Sequence, residues 1–264
     1  MKLISSTSAL LGLYTAQAAL TRLDPELADE LSEEVDPRKY TGIMDMAFHK
    51  LRDHPDFLPT TDASQKRKIF QKMIENYGCH CFPQHKSTAG GWGKPVDAMD
   101  EACRSLYRCQ KCVNIEYPGA CDTIDGGYKY DLIADADKSV SCDAPPRIKE
   151  CASQQCSCDR EFANQIYSIW VESSWEHNPH YWHHPANMKI KAKNGDPVFD
   201  RDATCKMGNN VAPDACCGDS YPNKVPYNTN EKACCNSAAK AYNAAMEICC
   251  DSEGTVVNAS KGCF

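Results

Sequence analysis

Gly90-Gly91-Trp92-Gly93-Lys94-Pro95-Val96-Asp97-Ala98-Met99-Asp100-Glu101-Ala102-Cys103-Arg104-Ser105-Leu106-Tyr107-Arg108-Cys109-Gln110-Lys111-Cys112 is the stretch on which the reading of the whole chain turns. From Pro95 to Cys112, the apolar positions Val96, Met99, Cys103, Leu106 and Tyr107 predict a helix with one buried face. A matching segment, Cys151 to Trp170, predicts a second long helix through Phe162, Ala163, Ile166, Ile169 and Trp170. Both are rich in cysteine, and the chain holds eighteen cysteines in 264 residues. That is too many for a reducing compartment unless they hold metal or clusters, and none falls in the paired C-x2-C … C-x2-C pattern of zinc ribbons, the one such step being Cys109 to Cys112. Disulfides formed in an oxidising compartment are the consequence.

Working outward, Met1 to Ala18 combines a basic start at Lys2, an apolar run Ala9 to Tyr14, and small residues Ala16 and Ala18. This is the anatomy of a cleaved secretory signal, and no later stretch reaches the ~20 apolar residues of a membrane span. Leu23 to Asp36 holds seven carboxylates and no base, and the remainder of the chain is neutral against a net charge of −7. Its Leu23, Leu27, Leu31 and Val35 are compatible with an amphipathic helix and equally with a removable propeptide. Scattered Lys and Arg argue against nucleic-acid binding, which selects for a basic stripe. Tyr40 to Leu51 and Lys66 to Asn76 predict two further helices, separated by Pro55 and Pro59. Within Asp122 to Val140, Gly126-Gly127 and the alternating Tyr128 and Tyr130 predict a small hairpin.

The cysteines fall in two groups, ten from Cys79 to Cys158 and eight from Cys205 to Cys263. The expected organisation is a signal at 1–18, an acidic extension or propeptide at 19–39, a helical domain at 40–170, a His- and Trp-rich connector at 171–204 and a cystine-rich module at 205–264.

Tyr77-Gly78-Cys79-His80-Cys81, the glycine stretch Gly90 to Gly93, Pro95-Val96-Asp97 and Cys103 with Cys109 resemble the calcium loop and first core helix of secreted phospholipase A2. Cys151-Ala152-Ser153-Gln154-Gln155-Cys156-Ser157-Cys158-Asp159-Arg160 resembles that family's second core helix. The resemblance covers about Tyr77 to Trp170. It implies a mainly α fold of disulfide-linked antiparallel helices with a small β-hairpin. It also implies a site in which a histidine activates water, an adjacent aspartate and loop carbonyls hold calcium, and an aspartate on the second helix orients the histidine.

Aligned without a gap, the histidine position is Leu106 and the calcium aspartate position is Tyr107. Leu106 has no lone pair to accept a proton, and a phenol with a pKa near ~10 is a poor ligand for a hard cation. Asp159 is the remnant of the catalytic set, and Gly90, Gly91 and Gly93 are retained in the loop, which is longer here than in the family. No cofactor is expected, and calcium only if the site is partly functional. His80, between two cysteines, reads as a partly exposed loop histidine, as does His85. The resemblance implies the bridges Cys81–Cys103, Cys109–Cys158, Cys121–Cys151 and Cys142–Cys156. The family's cross-link between the core helices falls on Ala102 and Gln165, both halves being lost together. Cys79 and Cys112 are then left to pair with each other or with Cys205.

Cys216-Cys217, Cys234-Cys235 and Cys249-Cys250 are doublets, and adjacent cysteines bond each other only under strain, so each doublet should tie its segment to two other places. Cys216-Cys217-Gly218, Pro226-Tyr227-Asn228 and Ala233-Cys234-Cys235 resemble the di-cysteine repeat of galaxin, a secreted protein of mineralised matrix. Trp175, His177, His180, Trp182, His183 and His184 crowd the connector, either covering the end of the fourth helix or serving metal or partner contact. Asn258-Ala259-Ser260 is a glycosylation sequon. The reading that results is a secreted, catalytically inactive phospholipase A2-like protein that binds a phospholipid surface or a matrix protein or mineral. The rivals are a calcium-dependent phospholipase A2 with an altered centre and a non-hydrolytic lipid-binding or toxin-like protein.

Overall fold

The computed structural model describes residues 41–54, 57, 62–81, 91–120, 128, 130–135, 137–142, 150–173, 175, 178–181, 191, 194–195, 197–206 and 211–263. The signal and acidic segments, His85, Gly90, Cys121, His177, Trp182, His183 and His184 lie outside these residues. Four helices build the core: α1 Thr41–Leu51, α2 Ala63–Ile74, α3 Ala98–Glu116 and α4 Glu150–Tyr167. Helix α4 packs against both α1 and α3. Cys109 of α3 bonds Cys158 of α4, while Leu106 and Ser105 share a cavity wall with Phe162 and Gln165 further along α4, so the pair runs antiparallel.

Helix α3 begins at Ala98 because Asp97 caps it. Asp97 has extended backbone, and its Oδ1 accepts from the Asp100 amide at 3.0 Å. Pro95, two residues earlier, therefore stands outside the helix, where its missing N–H costs nothing. The other carboxylate oxygen, Oδ2, accepts from Tyr77 Oη at 2.6 Å and Trp175 Nε1 at 3.1 Å. One side chain thus joins the helix start, the end of the glycine-rich turn and the connector. Asp97→Ala is expected to cost about 2–4 kcal/mol, a cap plus two partly buried hydrogen bonds lost, and Asp97→Asn less. Urea unfolding of the two variants reads the difference.

Helix α4 runs on into a π-helical turn, Ser168–Glu172, that places Trp170 edge-on to Phe57 and Phe70 and tilted against Trp175, with ring centroids 5.1 to 5.8 Å apart. Trp175 also stacks edge-on against Tyr77 at 5.5 Å. This tryptophan of the connector is therefore partly buried against the core, at the end of α4.

The hairpin lies later than the tyrosine alternation suggests. It pairs β1 Asp131–Leu132 with β2 Val140–Ser141, and Tyr128 and Tyr130 precede it. Their spacing serves tertiary bonds instead: Tyr130 Oη donates to Asp45 of α1 at 2.9 Å, and Tyr128 reaches α4. Gly42 of α1 permits that reach, since a β-carbon there would lie 2.7 Å from Tyr128 Oη.

After the short helix α5 Arg201–Thr204, the chain forms three antiparallel hairpins. Strand β3 Ala215–Cys217 pairs β4 Val225–Tyr227, β5 Ala233–Cys235 pairs β6 Lys240–Tyr242, and β7 Glu247–Cys250 pairs β8 Thr255–Asn258. Each doublet sits in the first strand of its hairpin. The side chains of neighbouring strand residues point to opposite faces, so the two cysteines of a doublet cannot share one partner. The second cysteine of each doublet bonds forward: Cys217–Cys234, Cys235–Cys249 and Cys250–Cys263.

Two bridges cross the ten-and-eight division of the cysteines. Cys79 bonds Cys205, and Cys112 bonds Cys216, not Cys79 or Cys205. Beside the second bridge, Glu116 at the end of α3 accepts from Lys224 Nζ at 2.6 Å and Tyr221 Oη at 3.0 Å. The first terminal hairpin is therefore clamped to the helical core, and Cys205 belongs with the glycine-rich turn.

Candidate functional site

Helices α3 and α4 bring Asp159 into the interior, where it is 1 % exposed. Cys109 and Cys158 set the two helices level, and the residues that follow them, Gln110 and Asp159, meet. Gln110 Nε2 donates to Asp159 Oδ1 at 2.9 Å, and Tyr128 Oη donates to Oδ2. Burial pushes the Asp159 carboxyl up to about 7, while the two donors pull the other way. Burial and the neighbouring Asp159 raise the Tyr128 phenol, so it remains a donor. Among the described residues, no histidine bonds Asp159.

Leu106 lies one helical turn before Gln110, 3 % exposed and part of the apolar core. It also lines a cavity of about 140 Å³ whose walls include Arg108, Phe162 and Gln165, and whose far side is formed by Pro222 and Lys224 of the terminal region. Asp159 does not line that cavity. Asp159 and this cavity are thus separate.

The glycine-rich turn is organised around a different carboxylate. Asp100, wholly buried, accepts from the amides of Cys79 at 2.9 Å, His80 at 2.7 Å and Val96 at 3.0 Å. Burial raises its pKa against the pull of those three donors. Gly78 has φ +56°, and a β-carbon there would lie 2.4 Å from the Asp100 carboxyl carbon, so glycine is needed for both conformation and space.

His80 is buried, not partly exposed, and its Nε2 lies 3.1 Å from the Gly93 carbonyl oxygen. Burial holds its imidazole below the ordinary value, hence neutral at neutral pH. Its ring braces the loop against Gly93 and is not directed to Asp159.

Calcium takes oxygen ligands, carboxylates foremost. Tyr107, at the helix position where the resemblance expects a carboxylate, has a phenol that burial pushes further up, so it stays neutral. A β-carbon on Gly91 would fall 1.4 Å from the Cys79 carbonyl oxygen, so the loop backbone closes on itself there. The described residues do not fit a calcium ion. Cys235, Cys249 and Asp251 are the one converging group of metal-type ligands among the described residues, and Cys235 and Cys249 are bonded to each other. No helix of the described residues is long and apolar enough to cross a membrane.

No protein-family model matches the chain. An acidic phospholipase A2 of Bitis gabonica is 30 % identical over 105 residues, which cover 38 % of this chain and 74 % of that protein. The chain belongs to the phospholipase A2 family. The mouse group IID secretory phospholipase A2 is 31 % identical over 87 residues, 33 % of this chain and 51 % of its own. Phospholipase A2 EC3 of Echis coloratus is 34 % identical over 107 residues, 40 % of this chain and 62 % of its own. The chain thus spans about half to three-fifths of the length of these two curated relatives.

For a phospholipase A2-family chain, the antiparallel α3 and α4 joined by Cys109–Cys158, with Cys81–Cys103 and Cys142–Cys156 beside them, make the helical, disulfide-rich frame. Sequence reading missed Gln110 and Tyr128. Gln110 was readable, since it follows Cys109 as Asp159 follows Cys158. Tyr128 carried no such signal, because its bond to Asp159 spans 31 residues and a stretch outside the described residues.

Proposed function

We propose that this is a secreted phospholipase A2-family protein that does not hydrolyse lipid and acts by binding, as a component of extracellular matrix. The observation that carries the reading is the closed environment of Asp159. Its two oxygens are taken by Gln110 and Tyr128, and the side chain one turn before Gln110 on α3 is the apolar Leu106. A general base contributes about 10²–10⁴ in rate, and among the described residues no group is placed to supply that step through Asp159. The stacked, forward-bonded hairpins support the likeness to a di-cysteine matrix repeat. Each is a two-stranded ribbon with unpaired edges among the described strands.

Calcium-dependent release of fatty acid from phosphatidylcholine vesicles tests this. The expected rate is that of the buffer blank with and without calcium. Turnover that Asp159→Asn abolishes would overturn the proposal and restore the enzymatic reading. Co-sedimentation with the same vesicles separates a lipid-surface partner from a matrix protein or mineral: pelleting with vesicles alone would make the membrane the partner.

A further inference from the structure

The three terminal hairpins share one turn. Each second strand ends at or next to an asparagine, Asn228, Asn243 or Asn258, whose Oδ1 accepts the amide two residues on at 3.0 Å. The peptide then folds back so that Lys232, Glu247 and Lys261 donate their amides to the three asparagine carbonyls in turn. These are Asx turns, a conformation set by three consecutive residues and independent of distant packing.

The third copy differs in one side chain. Where the first two have Asn230 and Ala245, the third has Ser260, whose Oγ donates to Asn258 Oδ1 at 2.7 Å in addition to the amide. Asn258, Ala259 and Ser260 are all exposed. The Asn258 amide nitrogen makes no hydrogen bond among the described residues. By contrast, Asn228 is 8 % exposed and spends its Nδ2 on the Ala212 carbonyl at 2.8 Å.

We infer that Asn258 is a site of N-linked glycosylation, presented by the last Asx turn. Transfer forms a bond from Asn258 Nδ2 to the anomeric carbon of an oligosaccharide. The bond from that carbon to the diphosphate of a lipid-linked donor breaks, the lipid diphosphate leaves, and the amide gives up one proton to a base of the transferase. Two donors on Oδ1 stabilise the negative charge that grows there as the proton departs, and they leave Nδ2 open to solvent. The compartment is the one the disulfides require, since they form in the oxidising secretory pathway where such transfer occurs. Strand β8 ends at Asn258 and pairs only with β7 among the described strands, so the glycan would stand beside an open strand edge and block its pairing with another chain.

The test is expression of the full chain in a secretory eukaryotic cell, followed by treatment with a peptide N-glycosidase and peptide mapping of both secreted and cell-retained protein. The wild type is expected to lose the mass of one oligosaccharide, with the released peptide deamidated at position 258. Asn258→Gln and Ser260→Ala should show no shift, and Ser260→Thr should keep it. Ala245→Ser, which gives the exposed second turn the same hydroxyl, should add a second glycan on Asn243. A wild type unchanged by the glycosidase in both fractions would overturn the inference, as would a shift that survives Asn258→Gln unaltered.

Discussion

Asp100→Ala lowers the free energy of unfolding by about 3–5 kcal/mol, the largest single-residue loss expected outside the disulfides. The carboxylate accepts from three backbone amides that come from both sides of the glycine-rich turn, and it is wholly buried. Alanine leaves three donors without an acceptor in a place where water cannot follow, at about 1–3 kcal/mol each before relaxation. Asp100→Asn keeps the shape but offers one acceptor oxygen and a misplaced NH₂, so it falls between. Gly78→Ala should be similarly severe, because a β-carbon would lie 2.4 Å from the same carboxyl carbon. Guanidinium unfolding with disulfides intact measures all three. A loss below about 1 kcal/mol for Asp100→Ala would mean that the turn is held by Cys79–Cys205 and Cys81–Cys103 rather than by the carboxylate.

The second large effect is one of pH. Asp159 titrates from an ordinary 3.8 up to about 7 in the folded protein because burial penalises its charge. Between those values the native state binds more protons than the unfolded chain, so stability falls as pH rises. The contribution is fully present below about pH 4, declines through the interval and is gone above pH 7. At roughly 1.4 kcal/mol per pH unit the span amounts to about 4 kcal/mol as an upper bound. Asp159→Asn removes the titration while an amide can still meet Tyr128 and a rotated Gln110. The stability gap between variant and wild type should therefore shift in the variant's favour from pH 4 to pH 7, and stay level above. Comparing the two at each pH cancels the other carboxylates. A gap that does not move with pH would mean that Asp159 stays ionised throughout.

The four helices were legible because their apolar positions recur at helical spacing, and Ile43, Met46, Ala47 and Leu51 are indeed the buried face of α1. Tyr128 and Tyr130 misled, since alternation is a strand signal only where neighbouring strands receive it. Here each ring turns to a carboxylate on a different helix, Asp45 and Asp159. The partner of Cys112 was not legible either. It depends on how the first terminal hairpin seats on Glu116, a contact across 108 residues that no local pattern announces. At the site, Leu106 and Asp159 were readable as letters on two helices, but the groups that hold Asp159 in its place, Gln110 and Tyr128, required the fold.

The forward bonding of the doublets has a topological consequence. Between Cys79 and Cys263, the described bridges Cys79–Cys205, Cys112–Cys216, Cys217–Cys234, Cys235–Cys249 and Cys250–Cys263 overlap or follow one another end to end. A protease that nicks the chain once inside any of these loops releases nothing, because a bridge spans the cut. The exceptions among these bridges are the three peptide bonds inside the doublets, at Cys216-Cys217, Cys234-Cys235 and Cys249-Cys250. Those bonds lie within strands, and Cys217, Cys235 and Cys250 are buried. The places where one cut would sever the molecule are the places a protease cannot readily enter, so a single cut elsewhere in these loops leaves its two pieces covalently joined.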